Sequence, residues 1–109
     1  MTKNKLKAPK HLSAESKKLW NSIVFDYALY DMTSQKILSV ALEALDRCQK
    51  ARTIIDAEGM TVLDKFGQAK QHPLLAIERD SRAAFLAGLK ALNLDLEPLQ
   101  DGPGRPPGK

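Results

Sequence analysis

The sequence predicts a mainly α fold: a helical hairpin and a C-terminal helix, with a short β-hairpin inserted between the long central helix and the last one. Three observations carry this expectation. A helical pattern runs unbroken to Gly59, a short run of strand formers with a turn glycine follows, and a His72-Pro73 step opens a new apolar periodicity.

The first helix is expected from Ser13 to Leu29. Ser13 suits an N-cap because its hydroxyl can accept a hydrogen bond from an amide of the first turn, and Leu12 before it can pack back as a hydrophobic staple. Leu19, Trp20, Ile23, Val24 and Tyr27 line one side, so Trp20 reads as a core anchor rather than a platform for a nucleobase. Residues 31–34 break the pattern and turn the chain.

The central helix reads from an N-cap at Thr33 or Ser34 to Glu58, and Gly59 supplies the positive φ at its end. It carries two apolar stripes. Leu38, Leu42, Leu45, Cys48 and Ile55 form one; Ile37, Val40, Ala41, Ala44, Ala51 and Ile54 form another, rotated from the first. A surface helix needs only one. Either this helix lies at the centre of a monomeric bundle, or one stripe packs within the subunit and the alanine-rich one against a neighbour. So short a chain has few helices to cover both faces, which favours the neighbour. Ile37, Val40, Ala41, Ala44 and Ala51 are therefore expected at a homo-oligomer interface.

Strands are expected at 60–64 and 68–72 around a turn at 65–67. Thr61, Val62 and Leu63 suit extended backbone, and Gly67 is the turn residue. Two strands alone are barely stable in water, so the hairpin must lean on the helices or on another subunit. Pro73 has no amide hydrogen to lose at a first helical position, and the last helix is expected to start there. Leu74, Ile77, Ser81, Ala84, Phe85, Gly88, Leu89 and Leu92 give it one inward face, with Gly88 allowing close approach of backbones.

With 109 residues there is room for one domain, here 13–98, between an arm at 1–12 and a tail at 99–109. Residues 100–109 hold three glycines and three prolines, which sustain neither helix nor sheet. Such a tail is either inert or a short docking peptide. No apolar run approaches the ~18 residues of a membrane span, and the lysine-rich start lacks the apolar stretch of a secretory signal. A soluble intracellular protein is expected. The one cysteine, Cys48, lies on an apolar stripe and reads as a buried structural thiol.

The distribution of charge says more than the total of +4. Of the 17 lysines and arginines, Lys3, Lys5, Lys7 and Lys10 fall in the first ten residues without an acid, so the remaining 13 balance the 13 acids. Lys17 and Lys18 carry the basic region into the first helix. A polycationic arm gains affinity for nucleic acid by releasing condensed counterions, without reading sequence, and several arms in one oligomer add their contacts. The alternative is a solubilising tail. These six lysines are the expected DNA-phosphate contacts.

No catalytic constellation emerges. His11 and His72 have no acidic or cysteine company at ligand spacing, so no metal site is expected. Gly102 and Gly104 lie in a proline-rich tail rather than between a strand and a helix, which is no phosphate loop. Asp26, Asp31, Asp46, Asp56, Glu58 and Asp64 read as scattered surface acids. The first two helices invite a helix-turn-helix reading, but the second is too long and too apolar for a dedicated recognition helix.

The succession of elements resembles one known family. Residues 9–13 (Pro-Lys-His-Leu-Ser) precede Trp20, a long central helix follows, then Gly59-Met-Thr-Val and Gln71-His72-Pro73-Leu74, then residues 89–94 (Leu-Lys-Ala-Leu-Asn-Leu) and Pro98. Over about residues 9–98 this order resembles the P27-like family of phage terminase small subunits. Where that family closes with Leu-Gly-Leu-x-Pro and a nearby arginine, this chain has Leu92-Asn93-Leu94, three further residues before Pro98, and no arginine until Arg105.

The resemblance implies a non-enzymatic, ring-forming oligomer larger than a dimer and without a cofactor. It would bind double-stranded viral DNA and recruit and regulate a large terminase subunit that carries the ATPase and nuclease, in the cytoplasm of an infected bacterial host. The tail is then a candidate docking peptide for the large subunit. A dimeric helix-turn-helix regulator is the alternative from another class, and a protein scaffold without nucleic-acid binding is a third.

Overall fold

Ser13 begins the first helix with the cap its sequence predicts: its backbone is extended (φ −64°, ψ 164°) and its hydroxyl accepts the Ser16 amide at 3.1 Å. The computed structural model describes residues 7–94, within which five elements follow one another. They are α1 (Ala14–Tyr27), α2 (Met32–Glu58), β1 (Thr61–Leu63), β2 (Ala69–Gln71) and α3 (Leu74–Ala91). The architecture is thus mainly helical, with a two-stranded antiparallel hairpin between α2 and α3 as expected. Lys3, Lys5, the end of the expected domain at 95–98 and the tail at 99–109 lie outside the described residues.

Helix α1 stops two residues early because Ala28 turns left-handed at φ 55°, with its amide directed back to the Phe25 carbonyl. The Leu29 amide then reaches the Val24 carbonyl at 3.0 Å, and the Leu29 side chain drops into the core. The cap of α2 corrects the sequence reading. Asp31, rather than Thr33 or Ser34, is the N-cap, and its carboxylate accepts the Ser34 amide at 2.9 Å. A full negative charge at the positive end of a helix outcompetes a neutral hydroxyl. The Ser34 amide, then its hydroxyl, hold the Asp31 carboxyl below its ordinary value.

Gly59 closes α2 at φ 90°, where a side chain would be strained, and its amide returns to the Ile55 carbonyl at 2.6 Å. The chain can then enter the hairpin, whose register pairs Thr61 with Gln71, Val62 with Lys70 and Leu63 with Ala69. Each strand spans three residues rather than the five expected. At the far end, Pro73 takes helical angles but contributes no side-chain cap to α3. His72 does that work instead, because its Nδ1 accepts the Leu74 amide at 3.0 Å. Asn93 ends the described chain's last turn in the left-handed region, at φ 60°, which asparagine tolerates better than most residues.

Helix α3 runs antiparallel along α2: Gly88 lies against Ala41, Glu78 against Cys48 and Arg52, and His72 against Glu58. Helix α1 covers only the first half of α2. The principal core therefore sits at that end, where Leu12, Trp20, Val24, Leu29, Leu38 and Leu42 meet, with Phe85, Leu89 and Leu92 packed against them. Trp20 is the core anchor its position predicts.

This packing uses both apolar stripes of α2, but not as expected. Ala41, Ala44 and Ala51, expected at a subunit interface, are buried within the chain at 2–3% exposure. At Ala41 the small side chain lets Gly88 of α3 approach closely. Ile37 is half-buried, while Val40 is 54% exposed. On α3, Ser81 is buried and Phe85, Gly88, Leu89 and Leu92 are half-buried, whereas Ile77 and Ala84 are exposed and stand outside the inward face expected for them.

Candidate nucleic-acid interface

The basic segment enters the folded body through a fixed root. Three donors converge on Asp46 of α2: the Ser13 amide at 2.9 Å, the Ser13 hydroxyl at 2.7 Å, and the Ser16 hydroxyl. Ser13 Oγ thus accepts the capping amide of α1 while donating to α2. One residue pair further out, His11 Nε2 meets the Glu43 carboxylate at 2.6 Å. Partial burial pushes the Asp46 carboxyl up, but the hydrogen bonds from Ser16 and Ser13 outweigh it and leave the group below its ordinary value. Asp46 is therefore an anion at the positive end of α1, bonded to two serines at once.

Around this root the lysines face water. Lys7, Lys10 and Lys18 are exposed and Lys17 is half-buried; Lys3 and Lys5 fall outside the described residues. On α2, an open groove beside His11 and Ser13 adds Arg47 and Lys50 to the same neighbourhood. The sequence reading missed these two. Their signal was only a pair of cations three residues apart on a long helix, and the adjacency to the arm depends on where α1 docks.

Other polar clusters hold the fold together. Cys48 is buried at 2% exposure and its Sγ lies 3.5 Å from a Glu78 carboxylate oxygen. Burial first, then Glu78, push its thiol up, away from the reactive thiolate. Glu78 also takes Arg52 at 2.9 Å and Arg82 at 3.3 Å, and Arg52 foremost holds its carboxyl below the ordinary value. His72, 5% exposed, meets Glu58 through Nε2 at 2.7 Å. Because its Nδ1 accepts from Leu74, the proton sits on Nε2 and is donated to Glu58.

Four of the acids expected to be scattered on the surface are instead placed by structure. Asp31 caps α2, Asp46 binds α1, Glu58 receives His72, and Asp64 organises the hairpin turn. Both histidines have carboxylate partners that spacing did not show, since the partners lie 32 and 14 residues away. Among the described residues no group of three histidine, cysteine or acidic side chains is arranged to hold a metal ion. No helix among them is long and apolar enough to cross a membrane.

The described body thus presents cations around a pinned root, and uncovered apolar side chains on its helices. Val40 and Ile54 of α2 and Ile77 and Leu86 of α3 are each at least 40% exposed. Set against models of protein families, curated proteins and solved structures, the chain matches none.

Proposed function

We propose that this chain is the small subunit of a viral DNA-packaging machine: a non-enzymatic oligomer, larger than a dimer, that holds double-stranded DNA and presents it to a large ATPase-nuclease subunit. The observation that carries the reading is the excess positive charge, concentrated in a short arm whose root is clamped to α2 through Ser13, Ser16 and Asp46. A tethered cationic arm contributes little alone. Repeated at fixed spacing around an assembly, such arms act at high effective concentration on one duplex.

The exposed apolar residues suit the assembly step. With Ala41, Ala44 and Ala51 occupied inside the chain, the interface in this reading rests on Val40 and Ile37, extended by Ile54 and Ile77. A head-to-tail ring uses two different patches of each subunit, which fits uncovered residues on more than one helix. The resemblance to terminase small subunits points the same way and supplies the large subunit as partner.

The test replaces Lys3, Lys5, Lys7 and Lys10 by glutamine and measures affinity for duplex DNA across a salt series. Each phosphate released from contact lowers the slope of log affinity against log salt by about 0.9, so the slope should fall by about three to four per engaged arm. Unchanged affinity and slope would remove the arm from the account.

A further inference from the structure

The β-hairpin is an element without an evident structural occupation for its tip. Phe66 is 77% exposed, and Leu63 and Met60 are 70% and 67% exposed. Three large apolar side chains thus stand in water within seven residues. The tip is nevertheless built rigidly. Asp64 Oδ1 accepts the amides of Phe66 at 2.8 Å and Gln68 at 2.9 Å. The Asp64 carbonyl accepts the Gly67 amide at 2.9 Å, and the Gln68 carbonyl accepts the Asp64 amide at the same distance. Gly67 sits at φ 80°, with nothing within 4 Å of where a Cβ would be.

Charge decides between occupants. Residues 60–71 contain one acid, Asp64, which faces back into the turn it organises, and two cations, Lys65 and Lys70. Both lysines are exposed, and Lys65 Nζ lies 5.5 Å from the centre of the Phe66 ring. Lysine on a short free strand is a device that discourages strand-to-strand pairing between copies, and Lys70 is the central residue of β2. A preorganised turn that offers an aromatic ring flanked by cations matches a duplex: phosphates for the lysines, and a base step or sugar edge for the ring.

We propose that the hairpin tip is a second DNA contact of this chain, with Phe66 as an apolar wedge against the duplex and Lys65 and Lys70 on the flanking phosphates. The inference rests on the DNA-binding reading above and extends it from the arm to the folded body. The arm then supplies affinity from phosphate charge alone, and the tip supplies a contact sensitive to how easily a base step opens.

The experiment compares the full chain with Phe66→Ala and with the Lys65→Gln/Lys70→Gln pair, on a labelled mixed-sequence DNA duplex over a salt series, with native mass recorded for each. Phe66→Ala should weaken binding at least about fivefold at unchanged salt slope, as loss of an apolar contact to bases does. The lysine pair should lower the slope by up to about two per engaged tip. Native mass should stay that of the unsubstituted chain. Binding by Phe66→Ala equal to the original overturns the proposal, and a fall in its native mass overturns it in favour of a second copy as occupant. If the arm variant loses affinity while both tip variants keep it, the tip proposal fails and the packaging reading stands; if the unsubstituted chain binds no duplex, both fall.

Discussion

Gly88 of α3 and Ala41 of α2 meet at a point where the two helix backbones leave no room for another methyl group: a Cβ placed on Gly88 would lie 2.7 Å from that of Ala41. Real Cβ atoms essentially never come so close. The contact explains why the second stripe of α2 carries alanine at position 41. Small residues on one helix and a glycine on the other set the distance at which Leu38, Leu42 and Phe85 can share a core.

Gly88→Ala is expected to destabilise the chain by about 1–3 kcal/mol, the usual cost of overpacking, despite alanine's better helix propensity. Ala41→Gly in the same chain should recover part of that loss, because it removes the opposing methyl. Chemical denaturation of both single variants and the double variant measures the coupling. Strict additivity would show that the two residues do not meet.

The clamp between α1 and α2 gives an acid response of defined sign. Asp46 has a lowered value in the fold, so its contribution is complete above the ordinary carboxylate value of 3.8 and is lost as pH falls through the lowered one. Asp31 and Glu78 shift in the same direction and add to the trend. Asp46→Ala should cost about 1–3 kcal/mol at neutral pH, since it leaves the Ser13 and Ser16 donors without their acceptor. It should also flatten the acid limb of stability against pH. An acid limb identical to that of the unsubstituted chain would contradict the clamp.

Cys48 should be slow to alkylate in the native state. It is buried, and its thiol is pushed up by burial and by Glu78, so accessible thiolate is scarce. Reaction with a neutral thiol reagent should run on the order of a hundredfold or more below the rate in denaturant, where opening is no longer required. Comparable rates in the two conditions would show that α2 and α3 part readily around Cys48 and Glu78.

These features differ in how far the sequence foretold them. The end of α2, the hairpin and the start of α3 were legible because Gly59, Gly67 and the His72-Pro73 step act on their own backbone, within a few residues. The N-cap of α2 was missed because three capping residues compete over residues 31–34, and the choice between a carboxylate and a hydroxyl turns on the helix dipole. The interior place of Ala41, Ala44 and Ala51 was not legible for another reason. An alanine stripe serves a neighbouring subunit and a neighbouring helix equally well, and the deciding partner, Gly88, lies 47 residues from Ala41 in the chain. The arm was legible as charge, but its clamp was not, since Ser13 and Asp46 are 33 residues apart.

Val40→Lys separates assembly from folding. Val40 is 54% exposed in the single chain, so the change should alter the chain's own stability by no more than about 0.5 kcal/mol. In the proposed assembly it places a charge at a subunit interface and should lower the native mass while the helical circular dichroism is kept. A variant that assembles as the original does would exclude Val40 from the interface.

In the proposed packaging function, several copies of this chain act together on one DNA duplex. The most direct measurement is the absolute mass of the native protein, by light scattering coupled to size exclusion at moderate salt. A ring-forming packaging subunit should show a mass several times that of a dimer, independent of DNA. A monomer or a dimer would contradict it, and a dimer would favour a helix-turn-helix regulator built on α1 and α2.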